Sequence, residues 1–115
     1  MVEGFPAVRR DMRKRLDYFA ELGFEGGASI RDFVGGPVDS RVVEYLRAGR
    51  NVAASSGVAY DVLDPGHKGM IGTTDEMTDG EWCWIQALPY YVETYGLILP
   101  EAFLRHAAAN GWKPR

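Results

Sequence analysis

The side chains that could carry chemistry are few: two histidines, His67 and His106, and a single cysteine, Cys83. A zinc site needs three or four ligands at tight spacing. Two histidines far apart in sequence and one thiol do not supply that, so no metal is expected. A thiol with a nearby imidazole can act as a nucleophile with its base. Cys83, however, sits between Trp82 and Trp84 on an expected strand, where a thiol behaves as a small, inert core residue. Gly26-Gly27 and Gly35-Gly36 match neither a phosphate loop nor a dinucleotide loop. Ser55-Ser56-Gly57 lacks the context of a nucleophile elbow. The residues therefore imply no catalytic group and no cofactor.

The remaining candidates are carboxylates and aromatics. Asp75, Glu76, Asp79 and Glu81 flank the pair Asp79-Gly80. Carboxylates do acid–base work when a protected cleft separates their pKa values, and a hairpin tip is normally solvated. Two readings follow: charge for solubility, or an acidic patch that meets a basic partner. Trp82, Trp84 and Tyr90 lie close by and would add the rigid anchors that interfaces favour. Trp82 and Trp84 alternate with Cys83 and so share a strand face. A purely structural account puts at least one of them in the core.

The elements around these residues follow from periodicity. Val8, Met12, Leu16 and Phe19 lie on one face of a helix running from about Pro6 to Leu22, stopped by Gly23. Residues 26–37 read as a loop. Asp39 or Ser40 caps a second helix carrying Val42, Val43 and Leu46 and ending at Gly49. Val58, Tyr60 and Val62 alternate as a strand, with a short strand at Val52–Ala54 before it. Asp64–Gly69 is a turn. Met70–Met77 and Glu81–Ile85 form a hairpin about Asp79-Gly80, a pair suited to two consecutive positive φ angles. Pro89 opens a helix that ends at Gly96. Pro100 opens another, carrying Phe103, Leu104 and Ala107 and closed by Asn110-Gly111, with Trp112 packing back. The order predicts an α+β fold over 1–115 as one domain, an antiparallel meander flanked by N-terminal and C-terminal helices.

Bulk properties narrow the class. A chain of 115 residues is near the commonest domain size. No apolar run approaches the ~20 residues of a membrane span, and MVEGFPAVRRDMRKR lacks the apolar stretch of a secretory signal. One cysteine suits a reducing cytoplasm. Net charge is −3, and residues 58–115 hold four Lys/Arg against eight Asp/Glu. That balance argues against a nucleic-acid partner, which calls for a basic face. The basic run Arg9, Arg10, Arg13, Lys14, Arg15 is interrupted by Asp11 and reads as a solvated helix face.

Tyr45-Leu46-x-x-Gly49, Asp61 to Pro65, Thr78-Asp79-Gly80-Glu81-Trp82-x-Trp84, Leu88-x-x-Tyr91-Val92 and Leu99-Pro100-x-x-Phe103 together form a pattern over residues 45–104. It resembles small bacterial cytosolic proteins with a TDG-x-W-x-W-P…Y…LP-x-x-F pattern, some encoded near polymorphic-toxin and contact-dependent inhibition loci, where immunity proteins are found. Ile85-Gln86 stand where the pattern has a proline. The resemblance carries over no catalytic residue. It implies an immunity protein that binds and neutralises a cognate toxin domain, expected to be of a basic nuclease type. The acidic second half and the aromatic-rich hairpin place Asp75, Glu76, Asp79, Glu81, Trp82, Trp84 and Tyr90 at the expected partner surface. The alternative is a small ligand-binding or enzymatic domain with a pocket between sheet and helices, lined by Tyr60, Tyr91, Tyr95 and His106. A third is a scaffold or homodimer that uses its aromatics for self-association.

Overall fold

The computed structural model describes residues 14–114. The fold is α+β. Strands β1 (Lys14–Arg15), β2 (Arg50–Ala53), β5 (Glu76–Thr78) and β6 (Trp82–Ile85) make a four-stranded sheet in the order β1-β6-β5-β2. Strands β3 (Val58–Tyr60) and β4 (Met70–Thr73) make a separate two-stranded ribbon. Three helices, α1 (Ser40–Arg47), α2 (Leu88–Tyr95) and α3 (Glu101–Ala109), and two short 3-10 turns complete the described chain.

The helices start and stop where local chemistry dictates. The Asp39 carboxylate accepts the Arg41 N–H at 2.9 Å and caps α1. Gly96, at φ 65°, ends α2 in the left-handed region. Its backbone lies against Gly36, whose N–H donates to the Gly96 carbonyl at 2.8 Å, and a Cβ on Gly96 would collide with the Gly36 carbonyl. Trp112 follows α3 and donates its N–H to the Ala107 carbonyl at 2.9 Å, so it does pack back as expected.

The meander is realised only in part. β5 and β6 form a hairpin, and β2 pairs antiparallel with β5, but the β3–β4 ribbon is inserted between β2 and β5 in sequence. β1 pairs parallel with β6, with Lys14 opposite Trp82 and Arg15 opposite Cys83. The expected first helix is thus absent from its second half. Lys14–Arg15 is a strand, and Ala20–Leu22 is a 3-10 turn closed by Gly23. Pro6, Val8 and Met12 lie outside the described residues. Leu16 and Phe19 are buried as the helical stripe required, but from an extended segment. The expected strand Met70–Met77 is likewise split, because Thr74 and Asp75 leave the ribbon to hold residues 55–57.

One face of the main sheet carries Met77, Trp82 and Trp84, and the three helices cover it. Phe103 is the hub of this core. Its ring meets Tyr45, Trp82 and Trp84 edge-on at centroid distances of 5.7, 5.6 and 6.1 Å. The Trp84 indole N–H donates to the Leu46 carbonyl at 3.2 Å, tying the sheet to the end of α1.

Candidate functional site

The β5–β6 turn does not have the expected geometry. Thr78 pairs with Cys83 and β6 begins at Trp82, so residues 79–81 form a three-residue connection. Only Gly80 has positive φ, at 104°. Asp79 closes the turn instead: its Oδ1 accepts the N–H groups of Glu81 (3.0 Å) and Trp82 (2.8 Å). Its Oδ2 accepts the Tyr45 hydroxyl at 2.6 Å and lies 3.0 Å from Nε2 of His106 on α3. Asp79 is only 1% exposed. Burial alone would raise its pKa, but the donors from Tyr45, Trp82 and Glu81 and the proximity of His106 outweigh that and hold the carboxyl below its ordinary range.

The expected acidic patch therefore does not form one surface. Asp79 is buried because four donors satisfy it. Glu76 points to the opposite face of the main sheet, where Arg15 grips it through two 2.7 Å bonds. Arg15 also binds Asp17 at 2.8 and 3.1 Å and reaches Cys83 Sγ at 3.3 Å. Asp17, fully buried, accepts the Ile85 N–H at 2.8 Å. Burial raises the Asp17 pKa, and Arg15 and the Ile85 amide only partly counter it. Asp75 accepts the Ser55 N–H at 2.6 Å. Of the four carboxylates only Glu81 is exposed, paired with Lys14 at 3.3 Å.

Neither tryptophan is exposed: Trp82 retains 6% and Trp84 none of its surface. Each fills the sheet–helix core, which is where the largest apolar area is removed from water. Lys14 and Arg15 do not belong to a solvated helix face. Lys14 lies over the Trp82 ring at 5.2 Å, and Arg15 is half-buried over Phe24 at 4.8 Å. Arg9, Arg10 and Arg13 fall outside the described residues.

Tyr90 keeps part of its surface, and it belongs to a different constellation. Asp61, just after β3, accepts the hydroxyls of Tyr90 (2.7 Å) and Tyr95 (2.6 Å) and the N–H groups of Leu63 and Asp64. Burial would raise the Asp61 pKa, and these donors more than reverse it. The Tyr95 phenol is raised in turn, chiefly because it donates to Asp61. Tyr91 accepts the Val62 N–H at 3.0 Å and donates to the Tyr60 carbonyl at 3.1 Å. Tyr91 and Tyr95 thus fasten the ribbon to α2.

The ribbon's other face is free of the core. Val58, Tyr60 and Met70 project outward, 45, 54 and 60% exposed, with Tyr60 opposite Met70. This apolar group was not picked out in the sequence, where Val58 and Tyr60 read as an ordinary alternating strand.

No family model, curated protein or solved structure matches this chain. Among the described residues no helix is long and apolar enough to cross a membrane, and no three His, Cys, Asp or Glu side chains are grouped to hold a metal ion.

Proposed function

We propose that the chain is a non-catalytic, cytoplasmic immunity-type protein that neutralises a basic toxin domain, and that the outward face of the β3–β4 ribbon is its recognition surface. The observation that carries this reading is the group Val58, Tyr60 and Met70, three large apolar side chains side by side on a ribbon held from behind. Tyrosine and methionine are typical of interface centres, and an anchored backbone lowers the ordering cost of association. The inner face of the ribbon is fixed by Tyr91, by Gln86 accepting the Thr73 N–H at 2.8 Å, and by the Ala87 N–H donating to Thr73.

Charge selects the partner's sign. Residues 58–75 hold Asp61, Asp64 and Asp75 against Lys68 alone, and residues 58–115 carry a net charge of −4. Asp64 and Asp75 stand near the two ends of the ribbon, and Tyr90 lies behind its connection with its ring 6.0 Å from His67. An apolar centre with an acidic surround favours a basic protein, and electrostatic steering speeds its capture. Glu81, on the β5–β6 turn, adds to the same long-range field.

The test is co-expression with the products of the genes neighbouring this one, to find a toxin domain whose growth arrest the chain relieves. Growth should be rescued by the native chain and lost with Tyr60→Ser/Met70→Ser, with purified binding weakened by about a hundredfold, as for hot-spot residues. A double variant that still rescues growth would remove the ribbon from the interface. A native chain that fails to rescue would remove the immunity reading itself.

A further inference from the structure

Beside the β5–β6 turn, away from the ribbon, lies an open cleft of about 400 Å3 lined by Asp79, Gly80, Glu81, His106 and Asn110. Asp79 forms its buried wall. An ionised carboxylate only accepts hydrogen bonds, so the 3.0 Å contact with His106 requires the proton on Nε2. In the neutral ring this tautomer leaves Nδ1 as an acceptor. Nδ1 lies 3.6 Å from Glu81 Oε1, too far for a direct hydrogen bond. The Asn110 amide nitrogen donates to the Tyr45 hydroxyl at 3.2 Å and lies 3.3 Å from His106 Nε2, which places it on the Asp79 side of the ring.

When the ring is neutral, the cleft thus offers a carboxylate and an imidazole nitrogen 3.6 Å apart as two acceptors. The turn already holds one cation: Lys14 Nζ sits on the other oxygen of Glu81 at 3.3 Å and over the Trp82 ring at 5.2 Å. We propose that the cleft is a binding site for a guanidinium group. A planar fork of N–H donors can bind the Glu81 carboxylate and give a further N–H to Nδ1, whereas an ammonium is a point donor. Tyr45 and the turn amides hold Asp79, Asp79 holds His106, and so the acceptors are set before the ligand arrives. This site is independent of the ribbon and stands or falls without it.

The group can come from a free small molecule or from the arginine side chain of a bound protein. The experiment is an NMR titration of the full chain at about pH 8, where an ordinary imidazole is neutral. Ethylguanidinium chloride and a capped Ala-Arg-Ala peptide are added in parallel, against sodium chloride at matched ionic strength. The expected result is saturable shifts of the His106 ring nitrogens and the Gly80 and Asn110 amides with guanidinium but not with sodium. Glu81→Gln should weaken binding by about tenfold. Tighter binding of the peptide assigns the site to a protein's arginine, and equal or tighter binding of ethylguanidinium assigns it to a free ligand. Shifts that sodium chloride reproduces, or that Glu81→Gln leaves unchanged, overturn the proposal.

Discussion

The Tyr45 hydroxyl donates to the Asp79 carboxylate at 2.6 Å, joining α1 to the β5–β6 turn across 34 residues of sequence. Both groups are buried, and Asp79 also satisfies two turn amides. A residue that looks like hairpin punctuation is therefore a tertiary tie.

Its removal tests that role. Asp79→Asn should cost about 1–3 kcal/mol at neutral pH, because a neutral amide accepts more weakly and leaves a buried donor unsatisfied. The Asp79 pKa is depressed in the folded state, so its charge contributes stability that is fully present above the unfolded carboxyl pKa of about 4 and is lost as pH falls through the lower folded value. The gap between Asp79→Asn and the native chain should therefore narrow below about pH 4. Urea melts from neutral to acid pH read this directly. Asp17 acts in the opposite sense. Its pKa is raised, so its ionisation opposes folding at neutral pH and that opposition vanishes on acidification.

Arg15 holds two carboxylates on the face of the main sheet opposite the helices. Arg15→Met should destabilise by about 3–5 kcal/mol, since it leaves the buried Asp17 without its cation. Lys14→Ala, which removes an exposed pair with Glu81, should change stability by no more than about 0.5 kcal/mol. Chemical denaturation of the two variants separates a buried from an exposed ion pair on adjacent residues.

Gly49 closes α1 directly beneath Trp84. A Cβ there would approach Trp84 Cζ2 at 2.6 Å and the Leu46 and Thr78 carbonyls at 3.3 Å. Gly49→Ala should cost about 1–3 kcal/mol by overpacking, and its near-ultraviolet circular dichroism should change as the indole shifts. Unchanged stability would mean that the α1–β2 connection yields more easily than the contacts imply.

Tyr91→Phe probes the attachment of the ribbon. The hydroxyl accepts from Val62 and donates to Tyr60, so its loss should speed hydrogen exchange at the Val62 amide and cost about 1–3 kcal/mol. Met70→Ser, on the outward face, should leave stability within about 0.5 kcal/mol, the expected behaviour of a side chain that is 60% exposed.

The helices after residue 39 were legible because their information is local. Asp39 caps α1, Gly96 ends α2, and the apolar spacing of Phe103 and Ala107 marks the buried face of α3, each within a turn or two of sequence. The α+β class followed from the order of such segments. Strand pairing is not local, and it decided the rest. Leu16 and Phe19 satisfy a helical stripe, yet the segment is extended because Leu16 donates its N–H to the Cys83 carbonyl at 3.0 Å, 67 residues away. Asp79 reads as a solvated turn residue until Tyr45 and His106 arrive from two helices. Trp82 and Trp84 read as core residue or partner anchor until Phe103 closes over both. Local periodicity determines which side chains want to be buried. Only the packed chain decides which donors and rings come together to bury them.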